Sequence, residues 1–324
     1  MSPGLRLVVL ASTAAVLFGL LAAGASAIAY PVLRARVARL PAAQRSRTLL
    51  LWAAAPVLAG ALLVALCFLP SAWSVMGLAV DHCPVHDDGH VHLCFAHAPG
   101  APVSTGEWLL VGIAVLGVGT ALARVVAAQT GTHRAVATLR RLMVAGGRVP
   151  SAVPLSVTAG LFRPVVLVST GLEARLSPEH LAVVLAHERA HAERRDPLRV
   201  AAASVLCALH LPGARRLLLA DLTLACEQAA DDEAARAVGD RLQVAEALLS
   251  VERVLGQSPT GFAAAMGMDG GSAAARVENL LAEPDPVVRS PSRVVLWMAA
   301  TLAAVLLAST LHHVTETLLE VVAR

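Results

Sequence analysis

The sequence predicts a mainly α-helical membrane protein, in which four transmembrane helices carry one soluble domain that contains a small β-sheet. Three observations predict it. Apolar residues make up 56% of the 324 and charged residues only 15%, whereas soluble domains carry roughly 25% charged residues; mean hydropathy is +0.67. The apolar residues cluster into runs long enough to cross a bilayer. Between the third and fourth runs lies a polar stretch with a His-Glu-x-x-His segment and, further on, an acidic helical segment.

The first run is Leu7 to Tyr30. Its Ala-rich end near Ala25–Ala29 would also suit a cleaved signal peptide, but the further membrane segments favour a retained span. Arg34, Arg36, Arg39, Arg45 and Arg47 follow with no acid among them, so this short connection is expected in the cytoplasm. The second span lies within Leu49–Val80, where Pro56 and Pro70 are expected to kink or end it. The next loop, Asp81–Glu107, holds Asp81, Asp87, Asp88 and Glu107 but no Arg, and is expected outside. Its His82, His86, His90, His92 and His97 read as a solvated loop, with a second metal site as the alternative. Cys83 and Cys94 share this oxidising side and are expected to form a disulfide. Trp108–Ala128 is the third span, with Arg124, Arg134, Arg140, Arg141 and Arg148 near or beyond its inner end. Val294–Leu311 is the fourth, flanked by Arg289 and Arg293, with a short external tail to Arg324.

The layout expected is thus residues 1–129 for three spans, 130–290 for the soluble domain and 291–324 for the fourth span and tail. The protein would be multi-pass, in contact with membrane lipids, with its soluble domain cytoplasmic. All 26 basic residues are arginines, and the net charge of +3 gives no reason to propose nucleic acid as a partner.

Within the soluble stretch, Thr132–Ala145 reads as helix. Leu155–Ala159 and Val165–Ser169 read as short strands separated by Gly160 and Pro164. Ser177 as N-cap and Pro178 at the first helical position open a helix. Leu181, Val184, Leu185 and Ala186 give it an apolar character before His187-Glu188-Arg189-Ala190-His191. Spacing by four places both imidazoles on one face, one turn apart, where they can reach a single zinc ion. Glu188 can then approach a zinc-activated water as general base, which is the chemistry of a metalloprotease. The protein or peptide substrate would lie extended along an edge strand, for which Val165–Ser169 is the candidate, with a plain structural strand as the alternative.

A zinc site needs a third protein ligand. Glu227 is the best candidate, on a helix predicted from Leu217 to Val238; Glu233, Asp232 and Asp221 are its rivals. Asp231, one turn on, could accept a hydrogen bond from a ligand histidine and fix its tautomer. Asp196 could orient His191 or bridge to Arg195, or simply end a charged helix before Pro197. His180 and His210 are possible oxyanion donors, though a structural role suits each better. Pro259–Ser272, with Met266 and Met268, reads as a loop near the cleft.

The segments PVVLVSTGL, LSPEHLAVVLAHERAHAERRDPL and LACEQAADDEAA together resemble the integral-membrane zinc peptidases of the BlaR/MecR type, the M56 peptidases. The resemblance implies a gluzincin-like fold, zinc held by His187, His191 and Glu227, and Glu188 as the catalytic glutamate. In the best-known members an external penicillin-binding domain follows the last span, and its ligand triggers cleavage of a cytoplasmic repressor. Nothing of domain size follows the fourth span here, so direct β-lactam sensing is not expected. The ACE at Ala225–Glu227 also differs from the commoner CD of that group. EQAAD resembles the ExxxD helix of the HtpX-type M48 peptidases, the runner-up family, which would imply membrane quality control. A signalling scaffold with a structural metal site is the non-catalytic alternative.

Overall fold

The structure, a computed structural model, describes residues 2–79, 93–95, 103–142, 148–256, 270–282 and 308–323. Helix α1 runs Pro3–Ala38, capped by the Ser2 hydroxyl, and α2 runs Ala42–Cys67. Only Arg39, Leu40 and Pro41 separate them. The arginine stretch read as a loop is therefore mostly helix: Arg34 and Arg36 belong to α1, Arg45 and Arg47 to α2. Arg and Ala are good helix formers, and nothing breaks the helix until Leu40-Pro41. The two helices pack closely where Gly60 meets Ala15; a Cβ at Gly60 would lie 2.3 Å from the Ala15 carbonyl oxygen.

Helix α3, Leu69–Val75, restarts directly after α2 with Pro70 in its first turn, where a missing N–H costs nothing. Helix α4, Thr105–Leu142, fuses the third apolar run and the helix predicted over 132–145 into one rod. The expected boundary at residue 129 falls inside it. Glu107 is not a solvated loop acid. It sits in the first turn of α4, fully buried, 2.9 Å from Arg6. Arg6 is buried with it, so the two charges compensate each other inside the protein.

Among the described residues three stretches are long and apolar enough to cross a membrane: Gly4–Ala38, Ala42–Val75 and Thr105–Gly131. Only 11% of the apolar window of the last is buried against protein, and Ile113 and Leu116 point outward. Such outward Leu and Ile suit a lipid surround, and the chain is a multi-pass membrane protein. The predicted fourth run lies largely outside the described residues, as do the loop histidines, Cys83, Met266 and Met268.

The remaining elements are β1 (Arg148–Val149), β2 (Ser156–Ala159), β3 (Val165–Ser169), α5 (Thr170–Glu173), α6 (Pro178–Arg194), α7 (Asp196–Leu206), α8 (Pro212–Val238), α9 (Arg241–Gly256), α10 (Gly270–Leu281) and α11 (Ala308–Ala323). The sheet order is β1-β3-β2. β2 pairs antiparallel with β3 from Ser156↔Val168 to Ala159↔Val165, and β1 pairs parallel with the end of β3. Gly160, at φ +107°, makes the β2–β3 turn in a conformation that suits only glycine. This order corrects the expectation for Val165–Ser169. It is the central strand, and β2 is the edge strand that packs on α6.

Ser177 caps α6 as expected, its hydroxyl accepting from the His180 N–H at 3.2 Å. Arg195, at φ +54°, ends the helix in the left-handed region, and α7 begins at the next residue. One core joins the membrane hairpin to the soluble helices: Tyr30, Leu49 and Ala53 pack with Ala203, Cys207, Leu218, Leu222 and Ala225. Another joins α6 through Val183 to α8, α9 and α10. Helix α8 therefore lies between the hairpin and the His-Glu-x-x-His helix. The chain after Leu311 is not a loose tail; α11 buries His312, Thr315 and Leu319.

Candidate active site

On α6, the four-residue spacing stacks the two imidazoles edge to face, with His187 Nε2 3.0 Å from His191 Nε2. Helix α8 crosses above them and presents Glu227. Its Oε2 lies 3.5 Å from His187 Nε2 and its Oε1 3.4 Å from His191 Nε2. Ligand atoms held tetrahedrally at about 2.0–2.2 Å from zinc are roughly 3.3–3.6 Å apart. These three side chains therefore fit one metal ion, and they form a cluster able to hold one. The rivals of Glu227 lie elsewhere: Asp221 pairs with Arg34, Asp232 with Arg241, and Glu233 lies near Arg194.

The outward nitrogen of each imidazole faces a carboxylate. His191 Nδ1 is 2.9 Å from Asp196 Oδ2, which also accepts from Arg194. Asp196 opens α7, so the sharp left-handed turn at Arg195 folds it back to its place. Asp196 interacts with Arg194 and Arg199, and no bridge to Arg195 forms. His187 Nδ1 is 2.9 Å from Asp231 Oδ1, though off the hydrogen-bond axis, so this contact is chiefly electrostatic. Such carboxylate–imidazole pairs orient metal-binding histidines.

The charges are set by opposing effects. Burial lowers the pKa of both imidazoles, but the carboxylates outweigh it. Asp231 and Glu227 raise His187, and Asp196 and Glu227 push His191 up to about 10. Burial raises the carboxyls in turn, and again the partners win. His187, His191 and Arg276 hold Glu227 well below the usual carboxylate range, and Arg276 and His187 bring Asp231 to about 2.

Glu188 is buried beside the cluster. Its Oε1 accepts from Ser156 Oγ at 2.8 Å and its Oε2 from Thr158 Oγ1 at 2.6 Å. Alternate residues of a strand share a face, so β2 presents both hydroxyls to the one carboxylate. The sequence offered a faint signal for them, an x-Ser-x-Thr alternation in the first of the two predicted strands. It offered none for Arg276 of α10, which contacts both Asp231 and Glu227. His180 and His210 do not reach the site. His210 Nε2 lies 3.2 Å from the Ala53 carbonyl of α2, and neither residue lines the cavity.

That cavity, about 1210 Å³, runs past His187, Glu188 and His191 along β2. It extends to Arg34 of α1 and to Val125 and Ala128 of α4, so membrane helices form part of its wall.

Neither the curated proteins nor the solved structures contain a match to this chain. The family model described as BlaR1 peptidase M56 matches residues 108–280. That is more than half of the chain, and it includes His187, Glu188, His191 and Glu227. A zinc-dependent peptidase activity follows from this match together with the metal-binding cluster, and the chain belongs to the BlaR1 peptidase M56 family.

Proposed function

We infer that the protein is a membrane-embedded zinc endopeptidase that hydrolyses a protein substrate at the cytoplasmic face of the membrane. Zinc would be held by His187, His191 and Glu227. The observation that carries this reading is the cluster of His187, His191 and Glu227, in which the two Nε2 atoms lie 3.0 Å apart and each faces one oxygen of the Glu227 carboxylate, at 3.5 and 3.4 Å, with Glu188 on the same helix as the histidines.

When bound, zinc supplies Lewis acidity toward water and the scissile carbonyl. The chain does the rest. Asp196 and Asp231 hold the two imidazoles with Nε2 directed at the centre. Glu188 takes a proton from the attacking water and returns it to the leaving amine. Ser156 and Thr158 keep its carboxylate aimed, and one of them must yield as the water approaches. The edge strand β2, rather than β3, would pair with the extended substrate backbone.

The domain division proposed is three N-terminal spans over 1–129, the peptidase domain over 130–290 and a fourth span with its tail over 291–324. The cytoplasmic side is supported by the arginine-rich tip of the α1–α2 hairpin, which contacts the peptidase helices. The cavity wall formed by α1 and α4 supports a substrate that meets the enzyme at the membrane surface. The family resemblance points to a regulatory protein, such as a transcriptional repressor, as that substrate.

Glu188→Gln tests the reading. The variant is expected to keep zinc and to lose peptide hydrolysis by at least about 100-fold, with metal content and cleavage measured on one preparation. Full activity in the variant sinks the mechanism.

A further inference from the structure

The guanidinium of Arg276 is buried against both acids of α8. Its Nε and Nη2 donate to Asp231 Oδ2 and Oδ1 at 2.8 and 2.7 Å, and its Nη1 lies 3.2 Å from Glu227 Oε2. Glu227 and Asp231 are one helical turn apart, so their like charges repel, and each must keep a fixed orientation toward an imidazole. We propose that Arg276 is a positioning residue of the metal centre, one that sets the Glu227 carboxylate to face His187 and His191.

The planar shape of arginine is what the arrangement uses. Nε and Nη2 lie along one edge of the plane and grip Asp231 bidentately. With that edge fixed, the position of Nη1 is fixed too, and it meets the Glu227 oxygen that faces His187. One cation thus ties a carboxylate beside His187 Nδ1 to the carboxylate that completes the ligand set. The backbone carrying it is anchored independently. Gln228 Nε2 donates to the carbonyl of Ala275 at 2.8 Å. Arg241 donates to the carbonyls of Asn279 and Leu280 and to Asp232. Lysine, a point charge on a flexible stem, cannot serve both acids in this way.

The proposal rests on Glu227, His187 and His191 being the metal ligands. Its test is the zinc dissociation constant of the full chain in detergent, measured by competition with a chromophoric chelator well below the unfolding temperature. Arg276→Met and Arg276→Lys are expected to weaken zinc binding by roughly 10- to 100-fold. Arg276→Lys carries the test if Arg276→Met does not fold. Arg241→Met loosens the same helix without touching the site and is expected to bind zinc within about twofold of the unaltered chain. Unchanged zinc affinity in a folded Arg276 variant overturns the proposal alone. So does an equal loss in Arg241→Met, because the effect would then belong to helix docking. An unaltered chain that binds no zinc overturns this proposal and the metal reading together.

Discussion

His191 Nε2 faces the centre while its Nδ1 rests on Asp196, so in the metal-free chain a proton occupies the place an ion would take. Its pKa lies above the ordinary 6.5, at about 10. A proton bound there at neutral pH must leave when metal enters. Apparent zinc affinity should therefore rise with pH, by about tenfold per unit for each proton displaced. Calorimetry at pH 7 in buffers of different ionisation enthalpy should show at least one proton released; no release contradicts this account. Asp231 has the opposite sign. Its pKa falls from 3.8 to about 2 in the folded chain, so its contribution to stability is complete above 3.8 and lost as pH falls through about 2. Unfolding of the metal-free chain, followed by tryptophan fluorescence, should steepen between about pH 4 and 2, and Asp231→Asn should lack that component. The cluster of His187, His191 and Glu227, with Glu188 beside it, was legible because metal chemistry demands fixed residue types at fixed helical spacing. Asp231 and Asp196 were legible as neighbours of that set. Ser156 and Thr158 were legible only faintly and Arg276 not at all, since a hydroxyl or a guanidinium reaches a site from any element that happens to pack there.

Among elements, the α6–α7 junction shows how local geometry serves the site. Arg195 is the described non-glycine residue with positive φ, and its side chain is exposed. The left-handed region costs an L-residue about 1 kcal/mol or more, and glycine avoids that cost. Arg195→Gly should therefore stabilise the protein by about 1 kcal/mol with zinc affinity unchanged. Arg195→Val should destabilise it and weaken zinc by displacing Asp196. Thermal unfolding and zinc titration of the pair check this, and a stable valine variant would show that the turn carries no strain. Helix α6 could be read from Ser177, Pro178 and its apolar spacing. The order of the sheet could not. β1 is two residues long and has no alternation to betray it, so nothing marked β3 as central. The arginine stretch misled for another reason. Charge reports the side of the membrane, not the backbone conformation, and five arginines suit the ends of two helices as well as they suit a loop.

At the scale of the molecule, the soluble part is anchored to the membrane hairpin by polar ties as well as by a shared core. Arg34 donates to both oxygens of Asp221 at 2.7 Å, and the Tyr30 hydroxyl donates to the same acid. Arg45 donates to Gln228, next to Glu227. Arg194, which holds Asp196, donates to Ser46 at 3.2 Å. The arginine tip of the hairpin and the metal cluster must then share one side of the bilayer, and the proposed cytoplasmic side follows from the preference of basic residues for that side. This fixes the outcome of a labelling experiment in a background with all five native cysteines replaced. Arg39→Cys in the hairpin turn and Arg236→Cys near the end of α8 should resist a membrane-impermeant thiol reagent in intact cells and react once the membrane is opened. Leu78→Cys, exposed just after α3, should react in intact cells. If both Arg39→Cys and Arg236→Cys react in intact cells, the protein is inverted and cleaves outside. If only one of them does, the docking of the peptidase helices on the hairpin is wrong, because no bilayer can separate helices that share one packed core.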